Sequence, residues 1–413
     1  MRPSIFTPSH TAQYLDDCYN SLTGQSISDW EWIVLLNDGA PDWRPAIDDP
    51  RVRVLRSESA TGVGAVKAEA CDAATGDVLV ELDHDDMLLP DCLAAVLEAF
   101  ARHPDASLVY SDHAHVNDEL EPSDWRYNPA FGWVYSEEIH AGRTYERSHA
   151  MAPHPHNVAY IWYAPNHVRA FRTAAYRQAG GYDRSLTVLD DQELMMRLYL
   201  VGDFVHVDRL LYLQRMHPAN TQHDPETNRF IQEQTVRYYR EHCETLFTAW
   251  CQRSGLRIIS LRTPASPELA RVEGEEVINL DPDAPLISAE ESSVGLVRAT
   301  DLLQRIPDRA ALFNECYRVC AHGGMMRTST PSTDGRGAFQ DPSYVAFYNE
   351  NSFWYLTQAA RRASIPDLTA RLQIGYIATA YPTEFDRETQ VSVVEANLLA
   401  IKDGPRLGGP LLC

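Results

Sequence analysis

At 413 residues the chain is too long for one ordinary hydrophobic core, so two domains are expected. Hydrophobic residues make up 44% of it, more than disorder allows, and 58 acidic against 36 basic side chains give a formal charge of −22. Such a field repels phosphate backbones and anionic lipid heads, so a non-specific nucleic-acid or membrane binder is not expected.

Ser4-Ile5-Phe6-Thr7 reads as a short strand that stops at Pro8, which cannot donate to a ladder. A helix is expected over 14–22, then a long apolar strand over 30–36 that ends in the turn Asn37-Asp38-Gly39. A third strand over 52–55 and a helix over 64–74 follow. The strand Val78-Leu79-Val80-Glu81-Leu82 then runs into Asp83-His84-Asp85-Asp86. A helix over 90–102 and a strand over 107–111 continue this alternation, the pattern of a mostly parallel α/β sheet. Thr7, Asn37-Asp38 and the acids from Asp83 thus sit at successive strand ends, where open α/β sheets bind ligands.

From 117 to 157 the pattern turns irregular and reads as a long functional loop or lid. The five histidines from His140 to His167 match no usual ligand spacing and are taken as surface or pocket residues. Val236, Tyr239, Cys243, Leu246, Phe247 and Trp250 then mark one buried helical face that ends near Gly255. The domains are placed at 1–254 and 255–413. No run approaches the roughly 20 apolar residues of a membrane helix, and the first residues lack the apolar run of a signal peptide. Eight scattered cysteines without a Cys-x-x-Cys, with Cys316 and Cys320 as core thiols, fit a reducing cytoplasm.

Clustered carboxylates repel one another unless a cation or donors sit among them. Asp83 to Asp86 therefore suits a divalent metal that bridges a diphosphate, and equally a helix N-cap before the helix at 90. Lys67 offers a cation to phosphate oxygens, and Asp38 an acceptor for base or ribose. Asp190-Asp191 precedes a helix over 192–200 and, taken by itself, reads as its cap.

Thr7-Pro8, Asn37-Asp38-Gly39-Ala40, the segment 64–67, Ala74-Thr75-Gly76-Asp77 and Leu82-Asp83-His84-Asp85-Asp86 stand in a fixed order. Phe171-Arg172-Thr173, Gly180-Gly181-Tyr182-Asp183, Leu189-Asp190-Asp191 and Arg215-Met216-His217-Pro218 continue it. This series resembles family-two glycosyltransferases of the GT-A fold and covers roughly residues 1–225. The resemblance implies a Rossmann-like α/β domain that moves a sugar from a nucleotide-diphosphate donor to an acceptor hydroxyl with inversion. Thr7, Pro8 and Asp38 would hold the nucleoside, Asp83 the ribose and Lys67 the diphosphate, at a position where the family usually has Arg. Asp85 and His217 would hold Mn²⁺ or Mg²⁺, and Asp191 would be the general base. Trp162 and Asp190 would border the acceptor. UDP-sugars are the donor the resemblance favours. A nucleic acid enters only as a modified-base acceptor, and stable membrane insertion is not expected.

The second half reads as strands over 277–281 and 294–299, a helix through Phe313 to Cys320, a turn at Gly323-Gly324 and a strand into Thr330-Pro331. With Asp341-Pro342-Ser343-Tyr344 and Asn351-Ser352-Phe353 it resembles the later half of a class I SAM-dependent methyltransferase. The Gly-x-Gly loop that lets backbone approach the cofactor is missing between 254 and 276. A partial methyltransferase-type domain without SAM activity is expected, serving structure or a homodimer contact. Two alternatives compete: a methyltransferase with an accessory sugar-nucleotide-binding domain, and a non-catalytic scaffold, which would have a broken metal or base position.

Overall fold

The computed structural model describes residues 1–413 apart from Asp38, 58–61, 161–165, 218–223, 267–269, 405–406 and 410–413. The chain forms two compact units, residues 1–129 with 133–242, and residues 130–132 with 243–413. Among the described residues no helix is long and apolar enough to cross a membrane.

The first unit begins with β1 (Pro3–Ser9), α1 (Leu15–Thr23), β2 (Glu31–Leu36), β3 (Val52–Arg56), α2 (Val63–Asp72) and β4 (Val78–Glu81). It continues through β5 (Met87–Leu88), α3 (Cys92–Arg102), β6 (Ala106–Val116), β7 (Val134–His140), β8 (Arg143–His149), α4 (Pro155–Ala159) and β9 (His167–Arg172). Then come α5 (Thr173–Gln178), α6 (Asp190–Val201), β10 (Asp203–Arg215) and α7 (Pro225–Ser254), whose last turns belong to the second unit. The sheet order is β3-β2-β1-β4-β9-β6-β10-β5. The first four strands are parallel, β9 runs antiparallel between β4 and β6, and β10 is parallel to β6. Strand β2 is buried along its whole length, as its unbroken apolar run requires of a central parallel strand.

Three expectations change. Strand β1 does not stop at Pro8. Ser9 accepts from Asn37 on the β2 side and Phe6 from Leu82 on the β4 side, so the Pro8 nitrogen faces β4, which pairs only as far as Phe6. No ladder bond is lost there. The irregular stretch after 117 is no loose lid: it contains the hairpin β7–β8, which pairs with β6 at His113 and Ala114. Its two-residue turn, Ala141-Gly142, has φ of 48° and 79°, the doubly positive form that matches strand twist. Finally, Asp86 caps no helix, because β5 intervenes and Asp91 precedes α3.

The second unit holds β11 (Arg257–Arg262), β12 (Glu275–Asn279), β13 (Val294–Thr300), α8 (Arg309–Val319) and β14 (Cys320–Pro331). It ends with α9 (Glu350–Thr357), α10 (Ala359–Arg362), β15 (Leu372–Ala380), α11 (Glu384–Glu388) and β16 (Val393–Ala400). Its sheet order is β12-β11-β13-β14-β16-β15, parallel through β14, with β16 antiparallel to both neighbours. Phe313, Phe353, Cys316 and Cys320 lie in its core. The turn expected at Gly323-Gly324 is instead an irregularity inside β14, where the register against β13 shifts and Gly323 takes φ of 77°.

The start of α2 is fixed by close backbone approach. Gly64 donates to the Leu186 carbonyl at 3.1 Å, and a Cβ on Gly64 would collide with the Asp183 carbonyl. Gly64→Ala is expected to cost about 1–3 kcal/mol, as overpacking does; an unchanged urea midpoint would contradict this packing.

Candidate active site

The carboxyl ends of β1 and β4, the start of α2, the start of α6 and the ends of β9 and β10 enclose a cleft of about 800 Å³. Pro8, Asp83, Asp85, Asp191 and His217 line it, joined by His10, Tyr14, Asn166, His167 and Arg169. Asp85 Oδ2 and His217 Nε2 lie 2.9 Å apart, brought together from β10 and the β4 loop across 132 positions. The Tyr14 ring stacks on His217 at 5.7 Å between centroids.

Arg215, fully buried, fastens the acidic loop to β10. Its Nε donates to the Asp85 carbonyl at 2.8 Å, its backbone N to Asp86 Oδ1 at 2.8 Å, and its Nη2 to Asp17 at 2.7 Å. Asp86 also accepts from the Tyr212 hydroxyl at 2.8 Å. Burial, then the charges of Asp85 and Asp83, push its carboxyl well above the usual range. With both carboxylate oxygens bonded to β10, Asp86 serves as an anchor at the cleft wall. Burial and the neighbouring Glu81 charge push the Asp83 carboxyl up to about 7. Asp83, Asp86 and His167 bring ligand-type atoms within 4.8 Å of one another. A second such group, Asp112, His149 and Asp208, has the Arg147 guanidinium bonded to both of its acids.

Beneath the opposite wall runs a buried charge network. Lys67 Nζ contacts Glu81 Oε1 at 2.6 Å and Asp190 Oδ2 at 2.8 Å. Arg169 grips Glu81 with Nε and Nη2 at 2.8 and 3.0 Å, and its Nη1 donates to Asp191 Oδ2 at 2.8 Å. Asp191 Oδ1 accepts from the Gln192 backbone N at 2.8 Å. Tyr182 adds a hydroxyl to Glu81 at 3.2 Å. Burial favours the neutral form of Lys67, but Asp190 and Glu81 hold its pKa above the ordinary value.

The Thr7 side chain does not reach the cleft, because its hydroxyl donates to the Leu82 carbonyl at 2.8 Å and accepts from Trp32 Nε1 at 2.9 Å. The Lys67 ammonium is engaged by two carboxylates and bolts α2 to β4 and α6 on the wall of the cleft. Asp190 is held by Lys67 and is 4% exposed, and it lines the cleft beside Asp191. Asp38 and Trp162 lie outside the described residues. Arg169, Glu81 and Arg215 were not anticipated. Two clues lie in the sequence, Glu81 within the apolar run Val78 to Leu82 and Arg169 between Val168 and Ala170, positions that demand buried partners.

Arg169 and Lys67 hold the Glu81 carboxyl at about 2, against a burial that would raise it from 4.5. Glu81 therefore stabilises the fold fully above about pH 4.5 and loses that contribution as pH falls toward 2. Glu81→Gln leaves two buried cations short of a partner and is expected to cost about 3–5 kcal/mol. Its stability should also vary less than wild type over that acid range, and equal acid-limb slopes in denaturant titrations would refute the network's weight.

Residues 4–161 match the family model described as Glycosyl transferase family 2. The chain is 26% identical over 226 residues to a chondroitin synthase of Escherichia coli, covering 53% of this chain and 29% of that protein. It is 25% identical over 254 residues to a hyaluronan synthase of Pasteurella multocida, covering 57% of this chain and 24% of that one. The chain thus spans under a third of the length of these relatives. Among solved structures, S. aureus TarS 1-349 in complex with UDP-GlcNAc aligns with a TM-score of 0.43 and 15% identity, over 61% of this chain and 71% of that one. None of these comparisons supports a methyltransferase-type second unit. At its N-terminus the chain therefore carries a Glycosyl transferase family 2 domain.

Proposed function

We propose that the first unit transfers a sugar from a nucleoside-diphosphate donor to an acceptor hydroxyl with inversion, and that Asp191 accepts the hydroxyl proton. One observation supports this above the rest: a single cleft has Asp83, the Asp85–His217 pair and Asp191 all on its walls. An acceptor hydroxyl attacks poorly unless its proton is taken as the new bond forms. Asp191 suits that task because Arg169 and the Gln192 N–H fix its orientation while the carboxylate still borders the cleft. Asp83 is proposed to meet the ribose, and Pro8 to border the nucleoside.

The Asp85 and His217 atoms fit a divalent ion such as Mn²⁺ or Mg²⁺, offering a hard oxygen and an imidazole at the separation two ligands of one ion adopt. When bound, that ion supplies positive charge against the departing diphosphate. Arg215 keeps Asp85 in place by holding its carbonyl. UDP-linked sugars, the donor the family resemblance implies, are the first to test.

For the second unit, the parallel run β12-β11-β13-β14 supports a Rossmann-like module of methyltransferase type. The end of β11, Arg262-Thr263-Pro264-Ala265, carries no glycine for close approach of a cofactor, so SAM chemistry is not part of the proposal. A homodimer through this unit and a cytoplasmic location are proposals from the sequence alone.

With a panel of nucleotide sugars, Asp191→Asn is expected to lower kcat by about 10²–10⁴ while donor KM stays near wild type; near-normal turnover would remove Asp191 from the role of base. Asp85→Ala is expected to abolish stimulation by Mn²⁺, and a wild-type rate indifferent to chelator would reject the metal assignment.

A further inference from the structure

The second unit contains a cavity of its own, about 500 Å³, which is within the range of small-molecule sites. It lies near the carboxyl ends of parallel strands. Pro307 follows β13, and Tyr348 bridges to Ser332, the first residue beyond β14. Open α/β sheets bind ligands at this edge. Phe313, Leu356, Ile365 and Leu368 give the cavity an apolar lining.

Two polar groups on it are unspent. Tyr348 is 4% exposed, and its hydroxyl is buried without a hydrogen-bond partner, a state proteins rarely leave uncompensated. Arg309 makes no hydrogen bond or ion pair among the described residues, whereas Arg305 is paired with Asp301 and Asp341, and Arg318 with Glu315. Both residues line this one cavity, and the Arg309 charge opposes the rise that burial imposes on the Tyr348 hydroxyl. Asn349, on the same wall, is already engaged in capping α9.

We infer that this cavity binds a small amphipathic carboxylate, its aromatic or branched apolar body against Phe313, Leu356 and Leu368 and its carboxylate accepting from Arg309 and the Tyr348 hydroxyl. One guanidinium and one hydroxyl match a single carboxylate. A phosphate dianion would need more donors than an apolar lining offers. All the lining residues belong to the second unit, so the site is separate from the cleft of the first.

The test uses the full chain with 4-phenylbutyrate as the probe, followed by saturation-transfer NMR and calorimetry, with 4-phenylbutan-1-ol as the neutral comparison. Saturable binding of the acid is expected. It should weaken about ten-fold or more in Arg309→Gln, the loss of one charge-assisted contact, and the alcohol should bind wild type as weakly. Tyr348→Phe is expected to raise the Tm of the free protein, since a partnerless buried hydroxyl is removed, and yet to weaken binding. A purely structural tyrosine would not produce that split. Absence of saturation transfer, equal affinity in Arg309→Gln, preference for the alcohol, or displacement of the probe by UDP would each overturn the inference.

Discussion

The first unit depends on one buried arrangement of opposite charges. Glu81 sits at the end of β4, held by Arg169 from β9 and Lys67 from α2, and those cations reach on to Asp191 and Asp190 at the start of α6. Each charge would be intolerable alone in that interior, and each is neutralised by a partner from a different element. The network therefore does two things at once. It joins four elements distant in sequence, and it fixes the orientation of Asp191 where that carboxylate borders the cleft.

A second fastening works on the far wall. Arg215 ties the acidic loop after β4 to the end of β10, and Asp86 accepts from that same strand. The loop Asp83-His84-Asp85-Asp86 thus divides its labour by direction. Asp86 is tied to β10 through both oxygens and holds; Asp85 stands in the cleft beside His217. Four consecutive polar residues look alike in a sequence, and only the surrounding donors tell them apart.

That difference explains what the sequence made legible. Strand and helix alternation in the first hundred residues is local information, carried by Trp30 to Leu36 or by Val78 to Leu82, and the sheet follows it closely. The insertion of β9 between β4 and β6 is not local, and neither is the meeting of Arg169 with Glu81 across 88 positions. Lys67 shows the limit most clearly. A lysine on a helix beside a suspected diphosphate site reads as a phosphate ligand, and the two acids that engage it come from β4 and α6. The hairpin after β6 escaped notice because its strands are polar and its turn, Ala141-Gly142, lacks the usual Asn-Gly or Asp-Gly wording.

The position of β10 has a consequence for how much chain the chemistry requires. The stretch matching the family model ends at residue 161, before β9, α6 and β10. A fragment cut there would keep Glu81 and Asp86 but lose Arg169, Arg215 and His217. Glu81 would keep Lys67 as its one cation, Asp86 would lose Tyr212 and Arg215, and the edge of β4 that β9 covers would lie open. The smallest piece that can form the whole cleft accordingly reaches at least to His217, well beyond the stretch that matches the family model.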